Sequence, residues 1–391
     1  VELVVLRGDP RQRVDADVVH RPYQVDSPAD LAVLAVAAER LLITQQDLIG
    51  YTNPSYFSSL EGLEAYRELT RAAMTVADRV LFFSAHAREE ALAEQLVEPE
   101  RASVVHIGVD HLLSAGGQES PPPDVPQLGA GEETLLCIGT DYRHKNRVFA
   151  LRIAEELQRT HGWNGHLVFA GPKMRAGSSA TEETRMLARL PALREAVTDL
   201  GEVSEPEKEW LLRRASLVLY PTVYEGFGLV PFEAAEHGVP CLWAPGSALS
   251  ELLSDEAARI VPWDAAASAV GAAALMRDQR ERERNVEEVR AAGTKLRWAI
   301  TAERLLDVYR TTADAPPSPT GLIERSEGTM RSGFSEDAVR LVGPDGALPR
   351  EVERPLLALA THPTFGRPVF GALKAGYLFS TRWRRSRNGS R

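Results

Sequence analysis

The chain has 391 residues, of which 44% are hydrophobic and 26% charged, and its net charge is −10. That length suits two globular domains with some chain left over, and the composition excludes collagen, a disordered acidic protein and a disulfide-stapled miniprotein. The acidic balance argues against a broad nucleic-acid-binding surface, so no nucleic-acid partner is expected, and apolar runs such as 31–38 fall well short of the roughly 18 residues a membrane span needs.

The chain opens Val-Glu-Leu-Val-Val without Met, so it is expected to be a processed or excised piece of something longer. Short apolar strands are predicted at 17–20, 40–44, 79–84 and 102–107, with helices at 66–77 and 85–95. Gly, Pro and Ser then crowd 114–132, which reads as an interdomain linker. Beyond it the alternation resumes: strand 134–138, helix 147–159, strand 166–170, helix 208–214, strand 217–220, helix 231–237, strand 239–243 and a short helix at 249–253. Helix 147–159 carries apolar positions at Val148, Leu151, Ile153, Ala154 and Leu157. Repeated strand–helix–strand order implies parallel sheets covered by helices. The expected organisation is an α/β domain over 1–113, the linker 114–132, and a second α/β domain over 133–300. A helix at 301–314 is expected to return to the first domain, followed by a tail over 315–391.

Cys137 and Cys241 sit in strand-like runs and read as reduced core residues, which implies a cytoplasmic chain. The end of the tail carries Arg367, Lys374, Arg382, Arg384, Arg385, Arg387 and Arg391 among aromatic residues and without an acidic one. It reads as a solvated tail, with peripheral contact to an anionic inner membrane face as the alternative.

The most informative stretch runs from Tyr220 to Pro240 as YPTVYEGFGLVPFEAAEHGVP. A strand ends at Tyr220, a glycine loop follows, Pro231 suits the start of a helix and Gly238 its stop. Gly226 and Gly228 permit close backbone approach to an anion at the helix start. A capping-box role for Glu233 would want Ser or Thr where the chain has Val230. A nicotinamide-binding fingerprint fits poorly, because the third glycine is absent. A second motif, Leu136-Cys-Ile-Gly139-Thr-Asp-Tyr-Arg143-His-Lys145-Asn146, places cations at a helix start, the wrong end of its dipole unless an anion neutralises them.

Glu225 and Glu233 inside EGFGLVPFEA form a Glu-x7-Glu spacing that resembles the signature of the family 4 retaining glycosyltransferases. The resemblance runs from about Asp17 to about Tyr309. It implies the GT-B fold of two facing Rossmann-like domains. It assigns Glu225 to the donor sugar, Glu233 to the ribose hydroxyls, and Gly226, Phe227, Gly228 and Leu229 to loop contacts. Gly139 and Lys145 match the family's G-T-x4-K variant at the diphosphate, with Arg143 supplying the charge that relatives place where this chain has Thr140. The segment from Leu200 to Val203 matches the loop that reads the base. On the acceptor side the usual opening strand has no counterpart, and Gln46 stands where relatives have His, leaving Asp47 to orient the acceptor hydroxyl.

The implied reaction is transfer of a hexose, with mannose favoured, from a GDP- or UDP-sugar to a glycan or lipid-linked acceptor, with retention and without a metal. The leaving diphosphate is stabilised by Lys145, Arg143 and the loop amides, and Glu225, Lys145 and Asp47 carry the chemistry. The alternatives are a noncatalytic nucleotide-sugar or glycan-binding module of a larger protein, and a sugar-nucleotide epimerase. Asp15 and Asp17 match a metal-chelating Asp-x-Asp but precede a strand in the wrong domain. His20, His86 and His106 lack metal-ligand spacing and read as structural histidines.

Overall fold

Runs of β-branched and apolar residues separated by serine caps build the first part of the chain. In this computed structural model the described residues are 16–110, 133–254, 257 and 260–316. Strands β1 (Val18–Arg21), β2 (Arg40–Gln45), β3 (Arg79–Phe82) and β4 (Ala102–Val104) pair in parallel in the order β1-β2-β3-β4. Between them lie α1 (Pro28–Ala37), α2 (Ile49–Thr52), α3 (Leu60–Val76) and α4 (Ala85–Ala93). Ser27, Ser59 and Ser84 each accept the backbone N–H three residues on, which fixes the starts of α1, α3 and α4. Ser59 is why α3 begins well before the expected 66, and Ser84 is why β3 ends at Phe82 rather than at 84. The core of this unit packs Leu41, Ile43, Val80 and Phe82 against Ala72, Ala73 and Met74 of α3.

The second sheet contains β5 (Thr134–Ile138), β6 (His166–Ala170), β7 (Val197–Asp199), β8 (Leu217–Tyr220) and β9 (Cys241–Trp243). All pairs are parallel and the order is β7-β6-β5-β8-β9. Its helices are α5 (Arg147–His161), α6 (Ala180–Leu187), α7 (Pro191–Glu195), α8 (Glu205–Arg214), α9 (Val230–Glu236), α10 (Leu249–Leu252), α11 (Ala265–Arg277) and α12 (Gln279–Gly293); α13 (Trp298–Asp314) follows them in the chain. A capping box of Ser204 and Glu207 starts α8 earlier than the expected 208. Leu135, Leu167, Phe169, Leu217 and Leu242 from the sheet pack with Leu151, Ile153 and Leu157 of α5. Each such fully buried side chain is worth about 1.5–3 kcal/mol relative to exposure.

The chain separates into two compact units. The first holds residues up to Pro54, Ser59–Val105 and those from Ala302 onward; the second holds Ser55–Ser58 and His106–Thr301. In the first unit, Leu305, Val308 and Tyr309 of α13 pack on Leu42, Leu81 and Val105. Both sheets are parallel and belong to α/β units, as expected. The linker 114–132, Asp15 and the basic aromatic tail lie outside the described residues. No described helix is long and apolar enough to cross a membrane.

Candidate donor site at the β5–β8 switch

Strand order in the second sheet reverses at β5: β6 and β7 lie on one side of it, β8 and β9 on the other. Loops leaving β5 and β8 at their carboxyl ends therefore diverge and open a crevice, the usual ligand position in such sheets. The register aligns Leu136 with Val218, so the chain leaving Ile138 and the chain leaving Tyr220 emerge side by side.

After β5 the chain turns at Gly139, whose φ of +131° suits glycine. The Gly139 N–H donates to Ala170 O (2.9 Å), and a Cβ on the neighbouring Gly171 would meet Gly139 O at 2.1 Å. Asp141 then knits the loop: its carboxylate accepts from Met174 N (2.8 Å) and Ser178 Oγ (2.6 Å). Residues Arg143–Lys145 form a 3-10 turn that leads through Asn146, in the left-handed region, into α5. Each step leaves Lys145 pointing across the crevice.

There, Lys145 Nζ meets Glu225 Oε1 at 2.6 Å and lies 5.5 Å from the centroid of the Tyr220 ring. Glu225 is buried, with 7% of its surface exposed. Its backbone is tethered as well, since Glu225 N donates to Ser247 Oγ (3.1 Å) and Glu225 O accepts from Ala248 N (3.4 Å). A buried ion pair of this kind costs desolvation on both sides and is held only by good geometry. Burial and the adjacent Glu225 push the Tyr220 hydroxyl well above its ordinary range. Next to Lys145, His144 is held neutral: burial, then the Lys145 charge, lower its pKa to about 4. Tyr56 hydrogen-bonds its Nδ1, and Val223 N donates to its carbonyl at 2.8 Å.

The glycine loop continues from Glu225. Gly228 has φ +93°, and a Cβ there would strike Leu249 Cδ2 at 2.6 Å, so only glycine fits this turn. Phe227 is buried with its ring 6.2 Å from that of His106, which pairs with Glu251 of α10 at 2.6 Å. Leu229 is the N-cap of α9, Gly226 and Gly228 flank Phe227, and Gly238 (φ +71°) follows the helix end. Glu233 lies on the first turn of α9 and receives Lys208 Nζ at 3.2 Å; the same ammonium meets Glu205 at 2.7 Å.

Lys145, Glu225, Gly139 and the 226–229 loop thus come from separate stretches to one end of one sheet. The other candidates are placed as follows. Arg143 turns to Glu182 of α6 (3.1 Å) and stays about half exposed, because the 3-10 turn sends residues 143 and 145 in different directions. Glu225 is buried and tied down on side chain and backbone alike. Val203 stands half-buried in the loop between β7 and α8. Asp47 belongs to the first unit, where its Oδ1 accepts from Ile49 N at 2.9 Å.

Sequence reading passed over Arg147, Asp199 and Lys208. Arg147 is 1% exposed, with Nη2 donating to Gly139 O at 2.6 Å. Its signal was present: 147, 150, 151 and 154 share one helical face, and the other three are apolar. His20 is structural as expected, its ring nitrogens bonded to Tyr309 Oη (2.9 Å) and Thr44 Oγ1 (2.8 Å). Among the described residues no group of three or more His, Cys, Asp or Glu side chains could hold a metal ion.

Comparison with known proteins agrees with this geometry. The family described as "Family 4 Glycosyltransferase in conflict systems" matches residues 59–314. Among curated relatives, a D-inositol 3-phosphate glycosyltransferase of Nocardia farcinica is 30% identical over 246 residues, covering 60% of this chain and 52% of its own. The corresponding protein of Mycobacteroides abscessus is 28% identical over 256 residues, covering 62% and 55%. A phosphatidyl-myo-inositol mannosyltransferase of Mycobacterium leprae is 31% identical over 135 residues, covering 34% and 36%. The chain spans about half the length of the first two relatives. Among solved structures, a UDP-forming trehalose-phosphate synthase of Burkholderia xenovorans superposes with a TM-score of 0.58 at 15% identity, covering 76% and 74% of the two chains. Anabaena HepE in complex with UDP and glucose gives 0.56 at 17% identity, covering 75% and 78%. These structures establish the GT-B class of fold. With the family match spanning most of the described chain, the protein belongs to the family 4 glycosyltransferases of conflict systems.

Proposed function

We propose that the chain is a retaining hexosyltransferase whose nucleoside-diphosphate-sugar donor occupies the β5–β8 crevice. The observation that carries the reading is the buried Lys145–Glu225 pair at the topological switch point. Without donor, each charge neutralises the other. When the donor enters, its diphosphate takes Lys145 and its sugar hydroxyls take Glu225, so two buried charges exchange one partner for better-placed ones.

Departure of the diphosphate from the anomeric carbon builds negative charge on the leaving phosphate oxygen. Lys145, held in place before the reaction, stabilises that charge with the backbone of the 226–229 loop. Removing one preorganised contact of this sort costs about 10² to 10³ in rate. The proton of the acceptor hydroxyl goes to the leaving phosphate, which balances the step without a separate base. Glu233, steadied by Lys208, accepts the ribose hydroxyls; the backbone near Val203 reads the base. Asp47 is assigned to an acceptor hydroxyl. No divalent metal is required, so transfer persists in excess EDTA. Either GDP or UDP serves the reading, and a mannose donor is favoured with a glycan or lipid-linked hydroxyl as acceptor. The named relatives act on inositol phosphates and a phosphatidylinositol, in keeping with a polyhydroxylated acceptor.

A thermal-shift panel of UDP, GDP and ADP tests the site. A ligand at about 100 times its Kd adds roughly 2.7 kcal/mol to apparent stability. Stabilisation by one base, followed by glycoside product from the matching sugar donor, supports the proposal. No stabilisation by any diphosphate overturns it, and stabilisation with no turnover of any donor favours the noncatalytic module.

A further inference from the structure

One buried side chain reaches the carboxyl ends of three strands. The register aligns Cys137 of β5, Phe169 of β6 and Asp199 of β7 in one row across the sheet. Over that row lies Arg147, the first residue of α5. Its Nη2 donates to Gly139 O just after β5 (2.6 Å), and its guanidinium lies 5.1 Å from the Phe169 ring centroid. Its Nη1 stands 3.8 Å from Asp199 Oδ1. Nη1 is buried without a hydrogen-bond partner among the described residues. A cation sealed at the positive end of a helix is opposed by both the dipole and desolvation. Such a position calls for a compensating gain, and packing alone would be better served by a Leu or Met.

The compensation is the set of loops it joins. Asp199 Oδ1 also accepts from Gly201 N (3.0 Å), and Asp199 Oδ2 pairs with Lys173 Nζ (3.0 Å). Gly201 O in turn accepts from Gly171 N at 2.6 Å. Gly171 lies against Gly139, with no room for a Cβ between them. Gly139, Gly171 and Gly201 all have positive φ, so each turn holds a conformation that few other residues adopt. Glu183 stands near the same guanidinium; burial raises its carboxyl and the Arg147 charge pulls it back. The chain of contacts runs from the loop 200–203, through Asp199 and Arg147, to the Gly139 turn beside Lys145.

We infer that Arg147 is a positioning residue that couples the 200–203 loop to the Gly139 turn, so that the base and diphosphate halves of a nucleoside diphosphate are recognised as one unit. The inference rests on the donor site proposed above and deepens it. Arg147 touches no donor atom in this account; it acts through the Gly139 carbonyl and Asp199. Occupation of the 200–203 loop by a base tightens the grip on Asp199 and stiffens the phosphate turn.

Inorganic pyrophosphate is the decisive probe, because it carries no base to touch the 200–203 loop. Calorimetry compares the wild type, Asp199→Asn, Arg147→Lys and the double variant, each with pyrophosphate and with UDP, GDP and ADP. Asp199 is partly exposed and its Asn replacement keeps the shape, so the fold is retained; a wild-type-like thermal transition checks this. The expected result is that Asp199→Asn weakens pyrophosphate about fivefold or more, and that the double variant is no weaker than the poorer single one. Hydrogen exchange of peptides covering 138–146, without ligand, is expected to speed up in Asp199→Asn and in a further variant, Arg147→Met, and to speed up less in Arg147→Lys. Wild-type binding of a diphosphate together with unchanged pyrophosphate affinity in Asp199→Asn overturns this inference alone. Losses that multiply in the double variant, or unchanged exchange at 138–146, overturn it too. Failure of the wild type to bind any diphosphate overturns the donor site first.

Discussion

The two parallel sheets differ in one topological respect, and the chemistry follows it. In the first unit the described strands lie in chain order, β1-β2-β3-β4, and polar groups in the loops after β2 and β3 serve the backbone beside them. Gln45 Nε2 donates to Asp47 O (2.8 Å), Asp47 holds the start of α2, and Ser84 caps α4. In the second unit the order reverses at β5, and side chains far apart in sequence meet: Lys145 with Glu225, Lys208 with Glu233, Arg147 with Asp199. Local bonding keeps a loop in shape, whereas pairing between loops gathers charges from distant stretches at one end of the sheet.

The largest expected effect separates the two kinds of contact. Lys145→Ala strands Glu225 as an unpaired buried charge and costs about 3–5 kcal/mol of stability in denaturant titration. Pairing Lys145→Met with Glu225→Gln restores most of that stability, because both charges leave together, while single-turnover transfer stays about 10²-fold down. Recovery of transfer alongside stability would assign the pair to the fold and not to the donor.

Acid places one group from each unit side by side. Burial lowers His20 in the first unit to about 4, and burial with the Lys145 charge lowers His144 in the second to about 4. Unfolded, each takes a proton near 6.5. Because the folded value is the lower one, the stability each contributes is full above about 6.5 and falls as pH drops toward 4, by about 3 kcal/mol for His20. Glu90 works in the opposite direction: burial, Asp47 and Glu94 raise it to about 7, so its contribution is full at low pH and is lost as pH rises through 7. His20→Gln flattens the acid limb of the denaturation midpoint against pH; an unaltered limb would count against the buried neutral ring.

Glu233→Ala removes a charged acceptor and weakens bare-nucleotide binding about ten- to a hundredfold. Glu225→Ala leaves nucleotide affinity near wild type and lowers kcat, as a partner of the reacting sugar would. The reverse pattern swaps the two carboxylates. Smallest of all is Asp47→Ala, which changes nucleotide affinity by less than about twofold because Asp47 lies in the first unit, apart from the β5–β8 loops.

Much of this was legible in the chain. Strands 134–138, 166–170 and 217–220 coincide with β5, β6 and β8, because buried parallel strands are continuous apolar runs bounded by turns. Strand β7, with a single apolar residue in Val-Thr-Asp, carries no such signal and was passed over. Helix α1 is apolar apart from Asp30 and α11 is rich in alanine, so neither shows a clear amphipathic period. Glu225, Glu233, Lys145 and Gly139 were singled out as candidates by their spacing within single motifs. Lys208 and Asp199 were not, since Glu233 lies 25 residues from the one and Arg147 still further from the other, and only the folded sheet joins these pairs. For Arg143, spacing gives its place on the turn and says nothing of its pairing with Glu182 of α6.

The central claim is that the diphosphate binds at the β5–β8 switch and nowhere in the first sheet. Hydrogen exchange across the whole described chain, with and without a saturating nucleoside diphosphate, tests it most directly. The account predicts slowed exchange at 139–146 and 225–233, with 45–52 and 84–93 unchanged, and predicts that Lys145→Ala abolishes the protection at 139–146. Protection confined to the loops after β2 and β3, or undiminished protection in Lys145→Ala, would contradict it.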